Sequence, residues 1–260
     1  MLINLLRRIG VYKFYDNYLK NQITKSETPV HIALILDGNR RWAKSKLIPE
    51  WMGHFAGADI VDDLLDWCVE LDIKIITLYA LSAENLSRPQ PELERLFEII
   101  SKKLSELLDE PKIDRYKVHV KGIGNLSLLP NEIQEKIQQV ESKTKDYDGL
   151  FFNLALAYGG RSEILEAVKN IASDVNDGSV GIQDITNDTL EEYLSTSHLS
   201  SPEPDLVIRT SGEERLSGFL LWQSAYSELV FLDVYWPDFR KIDLMRAIRT
   251  YQNRNRRYGE

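Results

Sequence analysis

The sequence predicts a single α/β domain in which a mostly parallel central sheet is flanked by helices. Three observations carry that prediction. Short β-branched apolar runs alternate with longer amphipathic stretches. Several runs are apolar on both faces, as strands covered on both sides must be. No internal repeat, low-complexity segment or long Gly/Ser/Pro linker divides the 260 residues.

In chain order, residues 1–28 form an N-terminal amphipathic helical segment, ahead of a domain spanning 29–260. Leu2, Leu5, Leu6, Ile9, Tyr12, Phe14 and Tyr15 suggest one apolar side. Within residues 1–25 five Lys/Arg stand against one Asp, a net of +4. Two readings stay open: a helix packed on the domain, or a membrane-surface helix. Strands are predicted at "VHIALIL" (30–36), "IKIITLYA" (73–80), "KVHVK" (117–121), "LFFNLAL" (150–156), "DLVIR" (205–209) and "ELVFLDVYW" (228–236). Helical patterns lie at about 54–71, 91–109, 130–145, 161–176 and 186–195, with a last one after Pro237.

The composition narrows the function. A formal net charge of −8 and a pI near 5.2 argue against a nucleic-acid binder, which is usually basic. The single cysteine, Cys68, rules out an internal disulfide framework and fits a reducing, cytoplasmic compartment. No apolar run approaches the roughly 18–20 residues that span a bilayer. The N-terminus does not read as a secretory signal, because its basic residues follow the apolar cluster.

In an open parallel sheet, ligands bind beyond the carboxyl ends of the strands. The residues following the predicted strands are "DGNRRW", "LSAENLSRP", "AYGGRSE" and "TSGEERLSGF". At one rim they would gather Arg40, Arg41, Arg88, Arg161, Arg209 and Arg215, the acids Asp37 and Glu84, and the amides of Asn39 and Asn85. Such a rim on an acidic protein suits phosphate or diphosphate. An isolated acid among arginines suits Mg²⁺, which takes one or two carboxylates and fills its shell from phosphate oxygens. Asp37 could instead cap the following helix, but a cap leaves the adjacent arginine pair unexplained.

Other motifs carry less. "DDLLD" (Asp62, Asp63, Asp66) has the DDxxD spacing of Mg²⁺–diphosphate sites in all-helical prenyl synthases. Here it sits mid-helix beside the apolar stripe Ile60, Leu64, Trp67, Cys68 and Leu71, which places the acids mainly on a solvated face. "KGIGN" (121–125) lacks the third glycine of a dinucleotide fingerprint. His31 and His119 fall inside strands and read as structural, and His198 lies in a polar loop. His54, between glycines in "GHFAG", is read as opening a helix, and a helix N-terminus is an anion site.

At these residues the chain resembles the cis-prenyltransferases, the family of undecaprenyl and dehydrodolichyl diphosphate synthases. The blocks "HIALILDGNRRWA", "GHFAGA", "TLYALSAENLSRP", "NLALAYGGRSEI" and "PDLVIRTSGEERLSGFLLWQSAYSELVF…WPDF" follow one another at that family's spacing. The resemblance implies a homodimer of a parallel α/β fold with a hydrophobic tunnel, and the membrane-surface reading of the N-terminal segment would set it at the inner face of a membrane. It implies Mg²⁺-dependent addition of isopentenyl diphosphate to an allylic prenyl diphosphate, each new double bond being cis. Carried over by position, Asp37 holds Mg²⁺ with Glu228 as the second acid near the metal. Gly38, Asn39, Arg40 and Arg41 form the loop around the allylic diphosphate, helped by His54 and Arg88, with Trp42 beside the allylic chain. Arg209, Arg215, Leu216 and Ser217 fall in the isopentenyl diphosphate site. Asn85 matches the position assigned to proton removal, with Ser82, Ala83 and Glu84 beside it. The "RRYG" tail at 256–259 resembles one that reaches across the dimer.

The chain also departs from the pattern. Arg40 stands where many bacterial members have glycine, Leu86 replaces a common tryptophan, and Glu214 a common histidine. Glu50 stands where many carry a diphosphate-holding arginine. Either Glu50 faces solvent or pairs with Lys44 or Lys46, leaving Arg40 to make up the lost charge, or the site takes a different prenyl acceptor such as an alcohol. A non-catalytic partner subunit is a further reading.

Overall fold

The computed structural model describes residues 11–255. Six strands form one sheet in the order β3-β4-β2-β1-β5-β6, and every ladder is parallel. The strands are β1 (His31–Ile35), β2 (Ile75–Tyr79), β3 (Val118–Ile123), β4 (Leu150–Ala155), β5 (Leu206–Arg209) and β6 (Glu228–Phe231). The helices are α1 (Val11–Ile23), α2 (Asn39–Ser45), α3 (Glu50–Glu70), α4 (Gln90–Asp109), α5 (Pro111–Arg115), α6 (Asn131–Thr144), α7 (Gly160–Asp177), α8 (Asn187–Glu192) and α9 (Lys241–Asn255).

The central strands β1, β2 and β5 are buried at every residue, which is why they read as unbroken apolar runs. Their register sets the position of the site. Ile35 pairs with Tyr79 on one side and with Arg209 on the other. The chain turns from β1 to one side for β2, β4 and β3, and to the other for β5 and β6. A crevice therefore opens at the carboxyl ends of β1 and β5, where the strand order reverses.

Two boundaries differ from expectation with consequences. The predicted strand 228–236 stays in the ladder only to Phe231. Beyond it the chain bends over the end of β1, where Trp236 N–H donates to the Asp37 carbonyl and the Trp236 indole donates to Gly57 O at 2.7 Å. Helix α3 begins at Glu50 behind Pro49, not at His54. The glycines read as an entry instead let α2 approach: a Cβ on Gly53 would lie 2.1 Å from the Asn39 carbonyl oxygen. His54 thus sits in the second turn, where its own N–H belongs to the helix ladder, and the helix-terminus argument for it does not hold.

Helix α1 buries Leu19 and Ile23 completely. The Gln252 side-chain amide of α9 donates to the carbonyls of Ile23, Ser26 and Glu27, tying the end of α1 to α9. The described part of the N-terminal segment is therefore packed on the domain. Residues 1–10 and the "RRYG" tail lie outside the described residues.

Candidate active site

A cavity of about 650 Å³ opens at the carboxyl ends of β1 and β5 and runs inward between α3 and α4. Its mouth is polar and its depth apolar, with Leu96, Ile100, Leu107, Phe152 and Leu154 among the lining residues.

Asp37 follows directly on β1. Its Oδ1 accepts from Gly38 N–H at 2.6 Å and its Oδ2 from Arg209 Nη2 at 2.7 Å. Burial by itself would raise this carboxyl, but the Arg209 hydrogen bond and charge, with the Gly38 amide, hold it below the usual carboxylate range. The α2 N-cap is Gly38, without a side-chain cap, so the capping role considered for Asp37 is not used. Gly38 has φ 103°, and a Cβ there would meet Tyr235 at 2.8 Å and Ser211 at 2.9 Å. Only glycine turns the chain from strand to helix at this spot without strain.

Arg209, at the end of β5, is 4% exposed. Besides Asp37 it donates to Ser217 Oγ at 2.7 Å and to the Arg215 carbonyl, while its Nε is buried without a partner. Around this centre two glutamates each hold a pair of arginines. Glu213 accepts from Arg41 at 3.0 Å and also from Arg215. Glu92 accepts from Arg88 at 2.8 Å and lies 3.7 Å from Arg40. A carboxylate between two guanidiniums occupies the kind of position a phosphate would take.

His54 lines the same mouth. Burial, with Arg88 and Arg40 nearby, lowers its pKa to about 4, so it is a neutral imidazole at physiological pH. Its Nε2 is buried without a partner, as is Asn39 Oδ1. Asn85 and Ser82 form a reciprocal capping box, with Asn85 Oδ1 accepting from Ser82 N–H and Ser82 Oγ from Asn85 N–H. That box fixes the Asn85 amide beside the cavity.

The structure thus brings Asp37, Gly38, Asn39, Arg40, Arg41 and His54 to one cavity wall. Ser82, Asn85, Arg88, Arg209, Arg215 and Ser217 join them there. Trp42, Ala83, Glu84 and Leu216 are not among the lining residues. The Trp42 ring lies under Lys46, and Leu216 packs against the aromatic cluster of Tyr79, Tyr158 and Phe219. Arg161 is exposed on the first turn of α7 and is absent from the rim.

Glu228 requires a correction. It pairs with Leu206 at the start of the β5–β6 ladder, and Leu206 pairs with Ile32. Three rungs, about 10 Å, separate that level from Ile35, and Asp37 lies beyond. Glu228 instead meets Arg254 at 3.1 Å. The two acids named for the metal are therefore not assembled within one chain.

Glu50 is half-exposed and pairs with Lys44 at 3.0 Å. The Lys44 hydrogen bond lowers its pKa, so its charge is spent on a lysine. The acids of "DDLLD" also differ from expectation: Asp63 is exposed, but Asp62 and Asp66 are half-buried. Asp62 meets Lys103 at 3.2 Å, and Asp66 accepts from Lys112 at 2.7 Å and Tyr116 at 2.8 Å. Sequence reasoning did not single out Glu92, Glu213 or Lys103, whereas Lys44 was one of the two lysines expected to pair with Glu50. Glu92 and Glu213 stand close in sequence to the quoted arginines, which was the available signal.

Comparison with known proteins agrees with this geometry. Residues 35–259 match a prenyltransferase family model described as undecaprenyl diphosphate synthase. The tritrans,polycis-undecaprenyl-diphosphate synthase (geranylgeranyl-diphosphate specific) of Methanopyrus kandleri is 49% identical over 249 residues, 96% of this chain and 91% of that protein. The same-named protein of Methanocaldococcus jannaschii is 47% identical over 251 residues, 96% and 90% of the two chains. Among solved structures, lavandulyl diphosphate synthase from Lavandula x intermedia, in complex with dimethylallyl diphosphate, superposes with a TM-score of 0.82. It is 36% identical, covering 86% of this chain and 95% of that one. A probable undecaprenyl diphosphate synthase from Campylobacter jejuni gives a TM-score of 0.72 at 32% identity, covering 90% and 100%. With that family model matched over most of its length, this chain belongs to the undecaprenyl diphosphate synthase family of prenyltransferases.

Proposed function

We propose that the protein condenses isopentenyl diphosphate with an allylic prenyl diphosphate, releasing diphosphate and extending a cis-polyprenyl chain. One observation carries the reading: a cation-rich mouth at the strand-order reversal leads directly into an apolar cavity of about 650 Å³. The mouth suits two diphosphates and the depth suits a hydrocarbon chain. The relatives named as geranylgeranyl-diphosphate specific support that compound as the allylic substrate.

In this reading the C1–O bond of the allylic substrate breaks, C1 bonds to isopentenyl C4, and a proton leaves isopentenyl C2. Arg40, Arg41 and Arg88 bind the allylic diphosphate and stabilise the charge that develops on it. Arg209, Arg215 and Ser217 hold the isopentenyl diphosphate. The allylic diphosphate replaces Glu92 between Arg88 and Arg40, and Glu213 gives up Arg41 to one substrate and Arg215 to the other. A carboxamide is too weak a base to keep a proton, so Asn85 orients the C2–H bond and an oxygen of the released diphosphate takes the proton. The apolar walls exclude water from the allylic cation.

The donor set at Asp37 fits Mg²⁺. It offers one half-buried carboxylate, and diphosphate oxygens and water would complete the shell. Among the described residues no group of three His, Cys, Asp or Glu could hold a metal by protein alone. Bound there, Mg²⁺ would neutralise charge on the departing diphosphate.

Pairing of Glu50 with Lys44 supports an ordinary diphosphate as second substrate over an alcohol. The exposed Leu165 and Val168 of α7 support a homodimer as an apolar surface for a second copy. With α1 packed on the domain, the proposed peripheral membrane contact at the inner face rests on the +4 charge of residues 1–25; no described helix is long and apolar enough to cross a bilayer.

The test is incubation with labelled isopentenyl diphosphate and a panel of allylic diphosphates, with Mg²⁺ or with chelator, followed by product sizing. Metal-dependent extension is the expected result. No extension of any allylic primer would overturn the reading.

A further inference from the structure

Below the mouth, charge reaches the cavity wall at one place, where Asp62 of α3 and Lys103 of α4 both line it. Lys103 Nζ lies 2.8 Å from Asp59, 3.2 Å from Asp62 and 2.9 Å from Glu106. The lysine side chain is 19% exposed, while its three acidic partners are 59, 38 and 43% exposed. Its methylenes therefore form wall, and its ammonium reaches acids at the protein surface. Burial would depress the ammonium pKa, yet the three carboxylates hold it above the ordinary lysine range. Lys102 stands 4.3 Å over the Phe55 ring of α3. On the next turns of α3, Asp66 is tied to Lys112 and Tyr116. Asp59, Asp62 and Asp66 share one helix face at spacings of three and four. All three engage the neighbouring α4–α5 segment.

We infer that this ionic seam is a length-determining gate, with Lys103 as the specificity-determining residue for product size. The inference rests on the chain-elongation reading. A growing hydrocarbon tail moves away from the reacting diphosphates, down between α3 and α4. The cavity continues one turn past Lys103 to Leu107, and to fill that last turn the tail must strip water from a partly hydrated ion cluster. That cost opposes the gain from burying another isoprene unit, so extension stops where the cost prevails. A purely decorative surface pair would not line the cavity, and it would not take two of its three partners, Asp59 and Asp62, from the facing helix.

The experiment sizes products from labelled isopentenyl diphosphate for the wild type, Lys103→Met and Lys103→Arg. Methionine keeps the apolar stem and removes the charge, whereas arginine keeps the charge. Lys103→Met should move the main product upward by at least one isoprene unit. The ratio of longer products to wild-type-length products should rise roughly fivefold, the scale of a partly exposed ion-pair network. The rate of the first condensation should stay unchanged, and Lys103→Arg should give the wild-type pattern. Asp59→Asn and Asp62→Asn, each removing one carboxylate, should shift the pattern the same way by smaller steps. High salt should do so in the wild type, because the carboxylates are partly solvated. Wild-type lengths from the methionine and asparagine variants would overturn the gate. So would a slowed first condensation with lengths unchanged, which would mark the seam as merely structural. Absence of extension by the wild type would overturn the elongation reading itself and the gate with it.

Discussion

The mouth of the cavity and the seam between α3 and α4 are built from the same chemistry, and they differ in the charge left over. At the mouth Arg40, Arg41, Lys44, Arg88, Arg209 and Arg215 meet the carboxylates of Asp37, Glu50, Glu92 and Glu213. Six cations against four anions leave a positive surplus on a protein of net charge −8. At the seam Lys102, Lys103 and Lys112 meet Asp59, Asp62, Asp66 and Glu106, and the surplus is negative. The first arrangement attracts a diphosphate; the second repels one and can only fasten. Motif spacing alone would have favoured the seam, since "DDLLD" is the better-known diphosphate signature. The sign of the surplus, set by which residues face one another, decides otherwise.

The largest expected effect falls at the centre of the mouth. Asp37→Ala should lower kcat by at least ~10³ with the fold retained, comparable with removing a principal electrostatic stabiliser. Steady-state kinetics alongside circular dichroism check it. Near-normal turnover would dissolve the distinction between the two regions.

Acid tests the mouth through its neutral histidine. His54 and the fully buried His31 both have pKa values lowered to about 4, mainly by burial. The unfolded chain binds more protons than the native one between about pH 6.5 and 4, so stability falls as pH drops through that window. The steepest loss is about 1.4 kcal/mol per pH unit for each histidine. Melting temperature followed against pH should show that slope, and His54→Gln should remove one histidine's share. An unchanged slope in the variant would mean that His54 is not held neutral.

Glu213→Gln removes the carboxylate that competes for Arg41 and Arg215. KM for isopentenyl diphosphate, through Arg215, and for the allylic diphosphate, through Arg41, should each fall up to about fivefold with kcat nearly constant, the scale of one half-buried ion pair. A raised KM would show that Glu213 positions the arginines instead of occupying them. Glu50→Arg should be milder, because it only releases an exposed Lys44, and KM for the allylic diphosphate should fall by less than about threefold. Asp63→Asn, on the exposed face of α3, should change stability by less than ~0.5 kcal/mol and leave products unaltered. A loss of activity in that variant would return the DDxxD spacing to consideration.

Much of the mouth was legible in the sequence because a parallel sheet has a strict geometry. Strand–helix alternation specified the sheet, and parallel strands must deliver the loops that follow them to one rim. Asp37, Arg40, Arg41, Arg88, Arg209 and Arg215 could therefore be grouped from their positions after "HIALIL", "IITLYA" and "DLVIR" alone. Arg161 shows the limit of that rule, since its loop follows a strand yet its side chain ends outside the cavity. Glu228 shows another: it opens its strand and so lies at the far end of the ladder from Asp37, a fact that depends on register.

What only the tertiary structure decided are the partnerships across long sequence separations. Glu213 meets Arg41 from 172 residues away, and Lys103 meets Asp62 across 41 residues. Periodicity places a residue on a face of its own helix, but it carries no information about the rotation of the neighbouring helix against that face. Glu50 makes a related point at short range, because its sequence offered Lys44 or Lys46 as a partner and the turn between α2 and α3 sends it to Lys44 at the edge of the mouth. Local pattern therefore determined the fold and which loops form the site. Packing angle and register determined which charges in that site remain free to act.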